Sequence, residues 1–156
     1  MRLRADESVK AAGLVGVQVA LILLLLAVPR PRWHAGTHAW VLAPGLLFFG
    51  AGAVVSLYGL VSLGRSLSPL PAPRRGGRLL TTGAYRRVRH PIYSGGLLAA
   101  LGLVVAAWAP LRLLWWALLA LVLDVKSRYE EELLSKEFPD YAAYKRMSWR
   151  FVPRVY

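Results

Sequence analysis

Four apolar stretches divide the chain, and their lengths and the breakers between them predict its elements. Ala11 to Val28 is a run of eighteen residues without a charge. At about 1.5 Å per residue, a helix of that length just spans a hydrocarbon core of roughly 30 Å. Arg30-Pro31-Arg32-Trp33 ends it, with Trp33 suited to anchor at the interface. Trp40 to Leu63 is a second charge-free run with Pro44 in its first turns. Gly45, Gly50, Gly52, Ser56 and Gly59 along it are small residues that let helices approach closely. Ile92 to Trp108 is the third, closed by a tight turn at Ala109-Pro110. Leu111 to Leu123 is the fourth, apolar except for Arg112; no helix breaker follows until Pro139, so the helix should continue out of the membrane through Asp124 to about Phe138.

The pattern predicts an all-α integral membrane bundle of four transmembrane helices with a cytoplasmic extension of the last. It forms a single domain over 1–156, with spans at about 11–28, 40–63, 92–108 and 111–126. The connection 64–91 cannot be one helix, because Pro69, Pro71, Pro73 and the Gly76-Gly77 pair interrupt it. Residues 127–156 form a polar, aromatic tail, and no internal repeat is evident. The first run has no clear small-x-small cleavage site and reads as a retained helix.

The charge sharpens this picture. Hydrophobic residues make up 56% of the 156 and the net charge is +12. In a soluble chain that charge would suggest nucleic acid; with the basic residues lying between apolar blocks, anionic lipid headgroups are the expected partner and nucleic acid is not. Lys and Arg number three before the first span, seven in the long connection and seven from Lys126 to Arg154, against only Arg30, Arg32 and Arg112 in or beside the two short loops. Positive charge stays on the cytoplasmic side, so both termini and the long connection are expected there. Within these residues there is no Cys, which excludes disulfides, thiolate metal sites and cysteine nucleophiles; three His and eight acids are left to carry polar chemistry.

Two segments concentrate that chemistry. In Arg89-His90-Pro91-Ile92-Tyr93-Ser94-Gly95, Pro91 suits the first turn of a helix and His90 its N-cap. The N–H groups of Ile92, Tyr93 and Ser94 would then form an anion-binding end reinforced by Arg89. Gly95 and Gly96 leave room for a ligand or another backbone. In the second segment Asp124, Arg128, Glu131 and Ser135 fall on one helical face, with Asp124 and Arg128 paired at i, i+4. Glu131 at the membrane boundary could hold an ammonium group. Blander roles fit the same residues: positive-inside anchors for most of the arginines, a helix cap for His90, a solvated face for the run of three glutamates, and packing for Trp115 and Trp116.

Arg89-His90-Pro91-Ile92-Tyr93 after Gly83-x-Tyr85, then two apolar helices, Glu130-Glu131-x-x-Leu134, Phe138, Tyr141, Tyr144 and Pro153, resembles the isoprenylcysteine carboxyl methyltransferase family and its phospholipid methyltransferase relatives. The likeness runs from about Leu79 to Pro153. It implies an S-adenosyl-L-methionine-dependent methyltransferase that acts on a lipophilic or lipidated acceptor and needs no metal. Carried over by position, Tyr85, Arg89, His90, Pro91, Tyr93 and Gly95 with Glu130 and Glu131 would bind the cofactor, and Glu131 and Arg89 would serve catalysis. Phe138-Pro139-Asp140-Tyr141 departs from the Phe-Gly form common in relatives, and the chain is shorter than the eukaryotic enzymes. The acceptor stays open among a prenylcysteine carboxylate, a phospholipid amine, a small thiol and another lipid acid. Two other classes share features with the chain: an NADPH-dependent sterol-type membrane reductase, near the RHPxY element, and a non-enzymatic membrane scaffold subunit.

Overall fold

The computed structural model describes residues 5–29, 38–64 and 79–156. Arg30-Pro31-Arg32-Trp33 and the proline- and glycine-rich stretch Pro69 to Gly77 lie outside the described residues. The described chain is helical: α1 Ala5–Ala27, α2 His38–Leu63, a short 3-10 turn Gly83–Arg86, α3 Pro91–Ala107, α4 Pro110–Glu137 and α5 Tyr141–Arg146. The single non-helical pairing among these residues is a parallel bridge between Val88 and Trp149.

The helix ends follow from local chemistry. α1 starts earlier than its charge-free run because Asp6 and Glu7 occupy the first turn, where carboxylates favour the free N–H groups. α3 begins at Pro91 with His90 as N-cap, and ends where Trp108 turns left-handed at φ 47°. α4 restarts two residues later with Pro110 in its first turn and runs unbroken for 28 residues.

Two antiparallel pairs make the bundle. In the first, α2 and α3 approach at backbone distance. A Cβ on Gly45 would lie 2.6 Å from Ala106, one on Gly59 would lie 2.9 Å from Ile92, and Gly52 and Gly102 stand directly against Ala99 and Phe49. Ser56 Oγ donates to Ile92 O at 3.2 Å, closing the polar end of this seam. In the second pair Ala11 of α1 packs with Tyr129 and Leu133 of α4, and Leu21 with Leu119 and Leu123. Arg112 Nε donates to Val28 O at 3.2 Å, satisfying a carbonyl just beyond the end of α1. α3 joins the pairs: Tyr93, Leu97 and Ala100 border the Leu21 cluster, and Trp116 Nε1 donates to Leu97 O at 2.8 Å. Trp116 is thus a packing residue between helices.

This order places the start of α1, the end of α2, the start of α3 and the end of α4 at one end of the bundle. At the opposite end, Trp40 and Trp108 meet edge to face at 5.5 Å. The outward faces carry Leu23, Leu26, Leu47, Val54, Leu57, Val61, Leu114 and Leu121, all exposed. So continuous an apolar surface is foreign to a water-soluble monomer. α1 and α2 are each long and apolar enough to cross a bilayer; α3 is apolar but has 17 residues, and α4 is long but carries Arg112, Asp124 and Lys126.

Candidate functional site

At the basic end, the residues preceding α3, the last turns of α4 and the tail close on one another. The tail docks first through its backbone. Arg89 N donates to Trp149 O at 2.8 Å, Trp149 N to Arg87 O at 2.9 Å and His90 N to Arg150 O at 3.1 Å. Ser94 Oγ donates to Phe151 O at 2.8 Å. Amide groups that would otherwise be orphaned ahead of a helix find partners here.

Glu131 is the hub, with its side chain 2% exposed. Arg89 Nε donates to Oε1 at 2.8 Å. Arg150 reaches it twice, Nε to Oε1 at 3.1 Å and Nη2 to Oε2 at 3.1 Å. Lys145 Nζ lies 3.2 Å from Oε2. Arg89 is itself fixed by the carbonyls of Lys145 and Ser148. Burial alone would raise the Glu131 carboxyl, but the adjacent His90 imidazole and the hydrogen bonds from Arg150 and Arg89 hold it well below the usual carboxylate range. It is an anion at neutral pH.

His90 occupies the N-cap yet its ring makes no capping bond. The ring turns to α4 instead, with Nδ1 3.4 Å from Glu130 Oε2 and Nε2 3.4 Å from Glu131 Oε1. The second approach is too poorly aligned for a hydrogen bond, so Nε2 is buried without a hydrogen-bond partner among the described residues. Burial works to lower this imidazole, but the two carboxylates outweigh it and raise it above its ordinary value. Tyr93 stacks on the His90 ring at 5.4 Å, nearly parallel, and its hydroxyl donates to Glu130 Oε1. Tyr85 lies nearby: burial and then Glu130 push its phenol up to about 12, and its carbonyl accepts from Tyr144 at 2.6 Å. Tyr141 is buried beneath the cluster, and its hydroxyl also lacks a hydrogen-bond partner among the described residues.

Asp124, one turn inward from Arg128, anchors the outer edge of the cluster. It accepts from Arg128 Nε at 2.8 Å as the i, i+4 spacing predicts, and also from Arg150 Nη1 at 3.2 Å and Tyr156 at 2.8 Å.

Of the residues singled out in the sequence, Tyr85, Arg89, His90, Tyr93, Glu130 and Glu131 converge, with Pro91 setting the helix start. Two details differ. Ser94 N is not free for an anion, since it donates to His90 O at 3.0 Å as an ordinary helical bond. Gly95 does not face the cluster: a Cβ there would meet Gly52 O and Ser56 at 2.5 Å, so its room serves the α2 backbone, while Gly96 alone is open. Arg150 and Lys145 escape a reading of the sequence, and Tyr141, part of the tail pattern, is given no site role there. Arg150 is one basic residue among six in the tail; its only signal is its place between Trp149 and Phe151, ahead of Pro153.

Among the described residues no group of three or more His, Cys, Asp or Glu is placed to share a metal ion. Residues 40–141 match the phospholipid methyltransferase family. The chain is 34% identical over 149 residues to the cobalt-zinc-cadmium resistance protein CzcN of Cupriavidus metallidurans, covering 92% of this chain and 63% of that protein. It is 27% identical over 144 residues to the nickel-cobalt-cadmium resistance protein NccN of Alcaligenes xylosoxydans xylosoxydans, covering 92% and 64%. It is 27% identical over 112 residues to protein-S-isoprenylcysteine O-methyltransferase B of Arabidopsis thaliana, covering 67% and 57%. The chain therefore spans less than two thirds of the length of these relatives.

Proposed function

The chain belongs to the phospholipid methyltransferase family, and from that premise we propose that it is an integral membrane methyltransferase using S-adenosyl-L-methionine to methylate a lipophilic acceptor. In this reading α1 and α2 are joined in the bilayer by α3 and by α4 as far as about residue 126, giving four spans in one domain. The end bearing Arg89, Glu131 and Arg150 faces the cytosol, as do both termini.

The observation that carries the proposal is the meeting of Arg89 and His90 with Glu130 and Glu131 in one buried cluster at a bundle end. The cofactor, when bound, supplies a methyl group on a sulfonium. The donor set here suits it: the amino-acid moiety presents a carboxylate and an ammonium, and the cluster offers both signs of charge within a few ångströms. His90 Nε2 and Tyr141 Oη, buried and without hydrogen-bond partners among the described residues, are the polar atoms with bonding capacity left for a ligand. Glu130 is more accessible than Glu131 and holds fewer partners, one phenol and one imidazole. Lys145, half exposed, is the most exchangeable partner of Glu131 and stands where a ligand ammonium would be welcomed.

The remaining contribution of the chain is alignment and exclusion of water, which suffices for an in-line displacement at carbon. His90 is held between two carboxylates and stacked on Tyr93, so its orientation is set before a ligand arrives. The test is to incubate the purified protein in lipid nanodiscs with methyl-labelled cofactor and a lipid extract, then identify the labelled product. Label in a lipid, lost in H90A and E130Q, is expected; no label in any lipid fraction would refute the assignment.

A further inference from the structure

Residues 151–156 form a closed loop beside the charged cluster. Tyr156 N and Val155 N donate to Val152 O at 3.0 and 3.1 Å, and Phe151 N and Val152 N donate to Tyr156 O at 2.9 and 3.0 Å. Pro153 has no N–H, so most of the loop's donors are accounted for within the loop itself. Its side chains turn outward: Val152, Pro153, Arg154 and Val155 are all exposed, Val152 to 50% and Val155 to 79%.

Two helices fix the depth of this loop. On α4, Leu121, Val125 and Arg128 are spaced four and three and share one outward face. The first two are exposed and apolar, and the third is an exposed guanidinium, so the apolar surface of α4 gives way to a basic one within a single turn. The Tyr156 hydroxyl donates to Asp124 Oδ1 at 2.8 Å and accepts from Arg128 Nη2 at 2.8 Å, which sets the loop at that boundary. On α3, Phe151 O accepts from Ser94 Oγ, two residues inside the apolar run that opens at Ile92. Asp124 lies seven residues before Glu131, about 10 Å along α4, so the loop sits deeper than the hub of the cluster. A Val-Pro-x-Val tip gains nothing in water, but at a bilayer boundary its apolar area is removed from water. A loop can enter that boundary when its backbone polar groups are satisfied, as these are. Tyrosine favours the same level, and arginine can lay its stem on apolar surface and leave its head among phosphates.

We propose that residues 152–155 are an interfacial anchor. Val152, Pro153 and Val155 enter the acyl boundary of the leaflet on the side of the site, and the guanidiniums of Arg128 and Arg154 meet phospholipid phosphates. The inference goes beyond the methyltransferase reading and takes from it the placement of α3 and α4 across the bilayer. Arg150 and Phe151 directly precede the anchor. One bonds Glu131, and the other stands edge-on to the His90 ring at 5.9 Å, so the segment that closes the site is tied to the membrane surface.

The sequence has no Cys, so single cysteines can carry a nitroxide at chosen positions of the full chain. The protein is placed in nanodiscs of phosphatidylcholine and phosphatidylglycerol, and spin-label saturation is read with oxygen, which concentrates in the bilayer, and with a neutral nickel chelate, which stays in water. L121C is the bilayer reference and K136C, on an exposed lysine nearly at the end of α4, the water reference. The oxygen-to-chelate ratio at V155C should exceed that at K136C by about threefold or more, with R154C between the two. A ratio at V155C equal to that at K136C, with L121C in the bilayer, would overturn the anchor and leave the placement of the helices standing. A V155C label shielded from both reagents, with dipolar broadening between labelled molecules, would overturn it by assigning the loop to a contact between two copies of the chain. If L121C itself favours the chelate, α4 does not cross the bilayer, and the anchor falls with that placement.

Discussion

Replacing Glu131 by Gln removes one charge and almost no volume, so its effect isolates the electrostatics of the hub. Four contacts between 2.8 and 3.2 Å end on this carboxylate, from Arg89, twice from Arg150, and from Lys145. The amide keeps one accepting oxygen and turns an N–H pair toward cations. Removing one member of a buried ion pair costs about 3–5 kcal/mol. Arg89 is less buried than Glu131, and Arg150 and Lys145 retain contact with water, so a loss of about 2–4 kcal/mol is expected. Reversible unfolding in detergent micelles at pH 7 measures it. The pH dependence adds a second check. A carboxyl held below its unfolded value contributes stability that is complete above that value, about 4.5, and is lost as pH falls through the folded value. The gap between wild type and E131Q should therefore not narrow from pH 7 to 5, where the His90 imidazole that Glu131 helps to raise adds to it, and should narrow only in more acidic solution. A gap under about 0.5 kcal/mol at pH 7, or one that closes between pH 7 and 5, would refute the hub.

The imidazole of His90 gives the opposite slope. Its folded pKa is raised above 6.5, so its contribution is complete below that value and fades as pH rises through the folded one; H90N should lack this alkaline loss in the same unfolding assay. R150K can keep one of the contacts that Arg150 makes to Glu131 and Asp124, and should lose about 1–2 kcal/mol in that assay. K145A frees Glu131 from its most exposed partner and should tighten S-adenosylhomocysteine about twofold to fivefold by calorimetry; weaker binding would contradict a competing ammonium. G52A places a Cβ against the Ala99 backbone and should cost about 1–3 kcal/mol, whereas G50A, with nothing within 4 Å, should leave thermal stability unchanged.

The helices were legible because long apolar runs without a helix breaker announce themselves in the sequence. α2 and α3 lie within two residues of the runs that predict them, and α4 runs from Pro110 to Glu137 because nothing interrupts it before Pro139. α1 reaches further back than expected, since a search for uncharged residues discards a first turn whose carboxylates suit a helix start. The pairing of helices was not legible. Gly45, Gly52 and Gly59 advertise a close contact but not its partner, and Gly95 is spoken for by α2 only in three dimensions. The halves of the site could be read from Arg89-His90 and Glu130-Glu131, since residue type and helical spacing are local. Arg150 and Tyr141 depend on how the tail folds back over α3, and that is decided by backbone bonds between Arg87, Arg89 and Trp149 for which no side-chain pattern is diagnostic.

The central claim, that the segments before α3 and at the end of α4 grip one cofactor together, is tested most directly by calorimetric titration of S-adenosylhomocysteine into the purified protein, alongside H90A, E130Q and the double variant. One saturable site is expected in the wild type. Each single variant should weaken it at least tenfold, and the double variant should lose less than the two effects added, because the side chains serve one ligand. Absence of a saturable site, or fully additive losses, would contradict the claim.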